Sequence, residues 1–152
     1  MRLRHILSSK PVPRPLVTVA ATDTVGTVID QLCRHRIGSL PVVDAESGEL
    51  VGIVCERDVL YNCCRRCAEG HQLAVSTIMT RDVVTAHPDE DVHTALERMS
   101  RHNIRHLPLL DSGRLVGIVS INDILRELYQ ADETKLRGLS DFFAGTYGSR
   151  VF

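Results

Sequence analysis

Apolar residues recur at i, i+3, i+4 and i+7 in two places, as Val25, Val28, Ile29 and Leu32 and again as Val92, Ala95, Leu96 and Met99. That spacing puts one apolar stripe on each of two amphipathic helices. Ahead of each stripe a short β segment runs into polar turn residues, Ala21-Thr22-Asp23 and His87-Pro88-Asp89, with Thr22 and Asp89 as the predicted N-caps. After each stripe come two short strand-like runs joined by a glycine-containing turn. In the first copy these are Leu40 to Val43 and Leu50 to Val54, the pattern of a hairpin. The second run is apolar on both faces, which predicts a strand covered on both sides. A further helix is predicted after each hairpin, near Glu56 to Cys64 and Asn122 to Gln130. The chain thus spells β-α-β-β-α twice, an α/β (α+β) fold whose two units must pack together, since one alone is too small for a good core.

The two copies match residue for residue. Val17-Thr18 recurs 67 positions on as Val84-Thr85, Arg34-His35-x-Ile37 as Arg101-His102-x-Ile104, and Leu40-Pro41 as Leu107-Pro108. After Asp44 and Asp111 the offset falls to 65, so that Leu50 to Val54 matches Leu115 to Val119 and Asp58 matches Asp123. The first copy carries the longer hairpin turn. These limits divide the chain into a lead segment (1–15), repeat 1 (16–72), repeat 2 (73–130) and a helical tail (131–152). In the lead segment, Ile6 and Leu7 belong to a short helix, and Lys10 to Pro15 is extended because residues before proline avoid the helical region. From the end of repeat 2 into the tail (126–147), Leu128, Ala131, Leu136, Leu139, Phe142 and Phe143 offer apolar surface for an interface.

Composition narrows the function. Of 152 residues, 43% are hydrophobic and 24% charged, with a formal net charge of −1 and a pI near 6.6. The balance of charge, three Tyr, three Phe and no Trp argue against a nucleic-acid partner, which calls for basic excess and aromatic platforms. No apolar run approaches the ~20 residues that span a bilayer, and no apolar segment follows the basic start as in a secretory signal. A cytoplasmic protein is expected. Five cysteines, an odd number, then read as free thiols.

Each copy carries a Leu-Pro-x-x-Asp run and a Gly-Ile-Val-x-x-x-Asp run, and Ile78 to Thr85 (Ile-Met-Thr-Arg-Asp-Val-Val-Thr) precedes the second copy. In order and spacing, residues 1–130 resemble a tandem pair of CBS domains, the Bateman module, and are most similar to small stand-alone bacterial members. The candidate chemistry lies in Gly117 to Asp123, where a buried strand passes into a helix. A helix start favours an anion, the Ser120 hydroxyl can donate to phosphate, and the Asp123 carboxylate can accept both hydroxyls of a ribose diol. Gly117 allows a ligand or a strand to approach. Ser120-x-x-Asp123 equally fits a helix capping box. Cys55 stands where Ser120 does in the other copy, and as a poor cap it leaves the retention of Asp58 unexplained by capping.

The resemblance implies that each pocket mixes the two copies and holds an adenine nucleotide. One pocket would use Val17, Ile37 and Gly38 with Ser120, Asn122 and Asp123. The reciprocal pocket would use Thr80, Asp82, Val84, Ile104, Arg105 and His106 with Cys55, Arg57 and Asp58. Lacking the hydroxyl but gaining Arg57, Arg105 and His106, the second suits a more highly charged phosphate tail, so unequal affinities are expected. The resemblance also implies a homodimer and an unknown regulated protein as partners.

Cys63-Cys64-Arg65-Arg66-Cys67 falls outside the repeat, and Cys64-x-x-Cys67-x-x-x-His71 has a spacing zinc could use. A second C-x-x-C is absent, so free cysteines at a helix end are expected, with redox-responsive thiols or a metal as alternatives. Cys33 reads as a small apolar residue between helices. No nucleophile-and-base or Walker motif is present. The expectation is therefore a regulatory module, not an enzyme, that needs no cofactor and binds AMP, ADP, ATP or another adenosyl ligand; the alternative is a thiol- or metal-responsive sensor or a dimeric scaffold.

Overall fold

The computed structural model describes residues 1–9 and 15–131, with backbone alone at 63–68 and 131. The connector at 10–14 and the tail from 132 onward, including Leu136, Leu139, Phe142 and Phe143, lie outside the described residues. A lead helix α1 (Leu3–Ser8) precedes repeat 1, which runs β1 (Val19–Ala20), α2 (Val25–His35), β2 (Ser39–Val43), β3 (Leu50–Cys55) and α3 (Glu56–Arg66). Short 3-10 turns at Cys67–Gln72 and Val75–Thr77 lead to repeat 2, which runs α4 (Val92–His102), β4 (His106–Asp111), β5 (Arg114–Ser120) and α5 (Ile121–Ala131).

In the first sheet β1 pairs parallel with β2, and β2 antiparallel with β3. The second sheet is the β4–β5 hairpin. Its counterpart to β1 shrinks to a single parallel bridge, Ala86 to Leu109, at the position equivalent to Val19 and Val42. The repeat extends to details. Both hairpins bulge at matching places, Val42/Val43 and Leu109/Leu110. Both α2 and α4 end on a left-handed residue, Arg36 (φ 51°) and Asn103 (φ 53°), a common helix stop. The N-caps are Thr24 and Asp91, whose side chains accept from the N–H groups of Thr27 and His93. The helices begin two residues later than Thr22 and Asp89 predict. The residue after Thr22, Asp23, closes the preceding turn by accepting from the Ala20 N–H at 2.8 Å, while Asp89 pairs with Arg4.

The two hydrophobic cores are closed by exchange. Repeat 2 packs around Leu96, Met99, Leu107, Leu109, Val119 and Ile124, and Leu3 and Ile6 of α1 are buried in that same core. Repeat 1 packs around Val25, Val28, Leu40, Val42 and Val54, and there Val75, Ile78 and Met79, from the segment leading to repeat 2, complete it. The docking is the same at both ends. Val25 N–H donates to Leu73 O and Val92 N–H to Met1 O; Val75 N–H donates to Asp23 O and Leu3 N–H to Glu90 O. Residues 1–7 and 73–79 are thus a third matched pair, 72 positions apart, each packed on the repeat other than the one it leads into. Gly52 and Gly117 make room for it. A Cβ on Gly52 would fall 2.6 Å from Met79 Sδ, and one on Gly117 would fall 2.7 Å from Leu7 Cδ2. Gly117 makes room for a helix side chain, Leu7 of α1.

Candidate functional site

While α1 docks on repeat 2 and residues 15–20 begin repeat 1, a cleft with Leu7 and Pro15 among its lining residues lies at the seam between the repeats. Its volume is about 580 Å³. One wall comes from Leu16, Val17, Ile37, Gly38 and Ser39 of repeat 1, the other from Leu7 of α1 with Val116, Gly117, Ile118, Ser120, Asn122 and Asp123 of repeat 2. Val17, Ile37, Gly38, Ser120, Asn122 and Asp123, the whole of one predicted set, therefore share a single cleft. The second apolar face of β5 explains itself here: Val119 faces the core, while Val116, 44% exposed, and Ile118 face the cleft.

The polar end is a complete capping box. The Asp123 N–H donates to Ser120 Oγ at 3.1 Å, the Ser120 N–H donates to Asp123 Oδ2 at 3.0 Å, and the Ser120 hydroxyl donates to the same oxygen at 2.9 Å. The Ile121 N–H is taken by Arg105 O at 2.9 Å. Two of the first N–H groups of α5 are therefore committed to the protein, and Oδ2 of Asp123 with them. The other carboxylate oxygen, Oδ1, stands 3.6 Å from the Arg126 guanidinium one helical turn on.

Repeat 1 builds half of the same device. Asp58 Oδ2 accepts from the Cys55 N–H at 2.8 Å. That bond uses the backbone of residue 55, so capping accounts for Asp58 whatever side chain stands at position 55. Burial raises the Asp58 carboxyl above its ordinary value, opposed by the Cys55 N–H and Arg57. Burial, reinforced by the neighbouring Asp58, pushes the Cys55 thiol up to about 11.

The reciprocal set is not gathered in the same way. Val84 and Ile104 pack against the core of repeat 2. Thr80 exchanges two backbone hydrogen bonds with Ile53 at the edge of β3, at 2.9 and 3.0 Å. Asp82 and Arg57 are exposed, and Arg105 lies 3.7 Å from Glu56, an acid that sequence reasoning overlooked. His106 sits in the Asp123 cleft, because β4–β5 register pairs it with Ser120. The basic side chains are likewise distributed against expectation. His35, Arg36, His106 and Arg126 all line the Asp123 cleft, so this end is the better suited to a charged tail. Arg126 could have been found from its i+3 spacing to Asp123. Arg36 had no such signal.

A second cleft of about 590 Å³ adjoins the first, sharing Arg36, Ile37, Gly38, His106, Ser120 and Asn122 and reaching Arg105, Val59 and Cys33. Cys33, predicted to sit between helices, is exposed. His71 is exposed, with its carbonyl and Cβ set over Gly26. The Cys64 and Cys67 side chains lie outside the described residues.

A family model described as "CBS domain" matches residues 5–63 and again 75–130. The chain belongs to the CBS-domain family. It is a tandem CBS pair with the mixed α+β architecture of that family. Among curated relatives, it is 32% identical to CBS domain-containing protein YhcV of Bacillus subtilis, over 72% of this chain and 76% of that one. It is also 39% identical to an inosine-5′-monophosphate dehydrogenase of Methanocaldococcus jannaschii, but spans only 22% of it. Solved CBS structures that hold adenosyl ligands are among its structural neighbours. The CBS pair of protein MJ0100, in complex with 5′-methylthioadenosine and S-adenosyl-L-methionine, is 33% identical over 87% of this chain and 98% of that one, with a TM-score of 0.75. The CBS protein PAE2072 of Pyrobaculum aerophilum, complexed with AMP, is 29% identical over 86% and 99%, with a TM-score of 0.71. No helix among the described residues is long and apolar enough to cross a membrane.

Proposed function

We propose that this CBS pair is a regulatory module that binds an adenine nucleotide in the Asp123 cleft and passes its occupancy to a partner protein. The observation that carries this is the meeting of Val17, Ile37, Gly38, Ser120, Asn122 and Asp123 across one seam, in a family with members that hold AMP and S-adenosylmethionine. Val17, Ile37 and Gly38 form the wall for the base. Asp123 holds the ribose through Oδ1, since Oδ2 is committed to the helix start. Asn122, Arg36 and Arg126 receive phosphate, and Ser120 joins them by turning its hydroxyl from Asp123. The basic lining favours AMP, ADP or ATP over S-adenosylmethionine, whose sulfonium centre is cationic. Because the ligand touches both repeats, it shifts their arrangement by its differential affinity for the two states. Leu60, Tyr61 and Tyr129, between 57% and 63% exposed on α3 and α5, are the surface through which we expect a homodimer.

Calorimetry against AMP, ADP, ATP, an NAD-type dinucleotide and S-adenosylmethionine tests this. The phosphorylated ligands bind more tightly than S-adenosylmethionine and are not turned over. Asp123→Asn, which keeps an acceptor for the helix start but loses the charge, weakens them about 10- to 100-fold. Wild-type protein that binds none of the panel, or Asp123→Asn that binds all of it undiminished, overturns the assignment.

A further inference from the structure

Ser39 is 3% exposed, and among the described residues its Oγ has no hydrogen-bond partner. An orphaned buried hydroxyl costs stability, so its presence calls for a reason. Its place in the fold supplies one. Strand side chains alternate between faces, and Leu40 and Val42 of β2 are wholly buried in the core of repeat 1. Ser39 therefore lies on the opposite face of β2, and it lines the Asp123 cleft beside Ile37 and Gly38. Its cross-strand neighbour is Cys55, a thiol that makes no bond to it. The matching position in repeat 2 is His106, so the hydroxyl is particular to this wall.

Resting on the nucleotide assignment above, we infer that Ser39 Oγ is the group that reads the polar edge of the bound base. The ribose and phosphate groups answer to Asp123, Arg126 and Asn122 on the far wall and to Arg36, which leaves Val17, Ile37 and Ser39 for the base. A hydroxyl offers one donor and two acceptor sites, and it can meet the exocyclic amino group or a ring nitrogen of adenine. Val17 and Ile37 beside it are apolar and cannot tell a purine from a hydrocarbon ring of the same shape. A site built to hydrogen-bond a ligand rejects analogues that leave its buried polar group unpaired.

The test uses the full chain, wild type, Ser39→Ala and Ser39→Cys, with two probes, AMP and benzimidazole riboside 5′-monophosphate, which lacks the amino group and the six-membered-ring nitrogens. Ser39→Ala weakens AMP about tenfold, leaves the benzimidazole analogue within about twofold, and raises the melting temperature of the ligand-free protein by removing an unpaired hydroxyl. Ser39→Cys, a weak hydrogen-bonding isostere, follows Ser39→Ala toward AMP. Equal losses for both probes, unchanged AMP affinity, or a lowered melting temperature in Ser39→Ala overturns the role of Ser39 alone. Failure of the wild type to bind AMP overturns the nucleotide assignment and this inference with it.

Discussion

The two ends of the seam start from the same parts and finish differently. At one, Ser120 and Asp123 close a reciprocal capping box, and a cleft gathers residues from both repeats around it. At the other, Cys55 and Asp58 make only the backbone half of that box, Arg105 stands beside Glu56, and Thr80 is tied into the edge of β3. An aspartate present in both copies therefore reports first on how a helix begins. Whether it also faces a ligand depends on what the opposite repeat brings to it. Internal symmetry in sequence produces equivalent backbones, and the side chains at a handful of seam positions then decide that the two ends are not equivalent sites.

The largest expected effect breaks the symmetry of the cores. Leu3 is fully buried in the core of repeat 2 although it lies 70 residues before that repeat begins. Leu3→Ala should cost about 2–5 kcal/mol in denaturant unfolding, and hydrogen exchange should show the loss falling on α4, β4 and β5, with α2 and β2 little affected. A loss confined to repeat 1 would contradict the exchange.

The capping difference should be smaller. Ser120→Ala is expected to cost about 0.5–2 kcal/mol. Cys55→Ser, which supplies the missing hydroxyl, should stabilise repeat 1 by up to about 1 kcal/mol. If Cys55→Ser is neutral or destabilising, the buried thiol contributes more through packing than the cap would.

The smallest effect concerns Asp58. Burial raises its folded-state value above the unfolded one, so its contribution is fully present below the unfolded value and is lost as the pH rises through the folded value. At pH 7 the ionised carboxylate opposes folding. Asp58→Asn keeps an acceptor for the Cys55 N–H and should raise the melting temperature slightly at pH 7, with the gain vanishing below about pH 4. A lowered melting temperature at pH 7 would mean that the charge of Asp58 is favourably paired.

Much of this protein could be read from local pattern. The stripes of Val25 to Leu32 and Val92 to Met99, the paired hairpins and the offsets of 67 and 65 determined both β-α-β-β-α units, while the six residues expected in one cleft came from the family resemblance and not from spacing. These features depend on neighbours within a turn or a hairpin, where spacing alone says which face is buried. Spacing does not say against what. The match of Leu3, Ile6 and Leu7 to Val75, Ile78 and Met79 was present in the chain, but only packing revealed that each triplet crosses to the other repeat and that Gly52 and Gly117 are vacant to receive it. Packing likewise brought Arg36, Arg126 and His106 to the Asp123 end and left Ser39 buried without a partner, because contacts across a seam are set by how two finished surfaces meet.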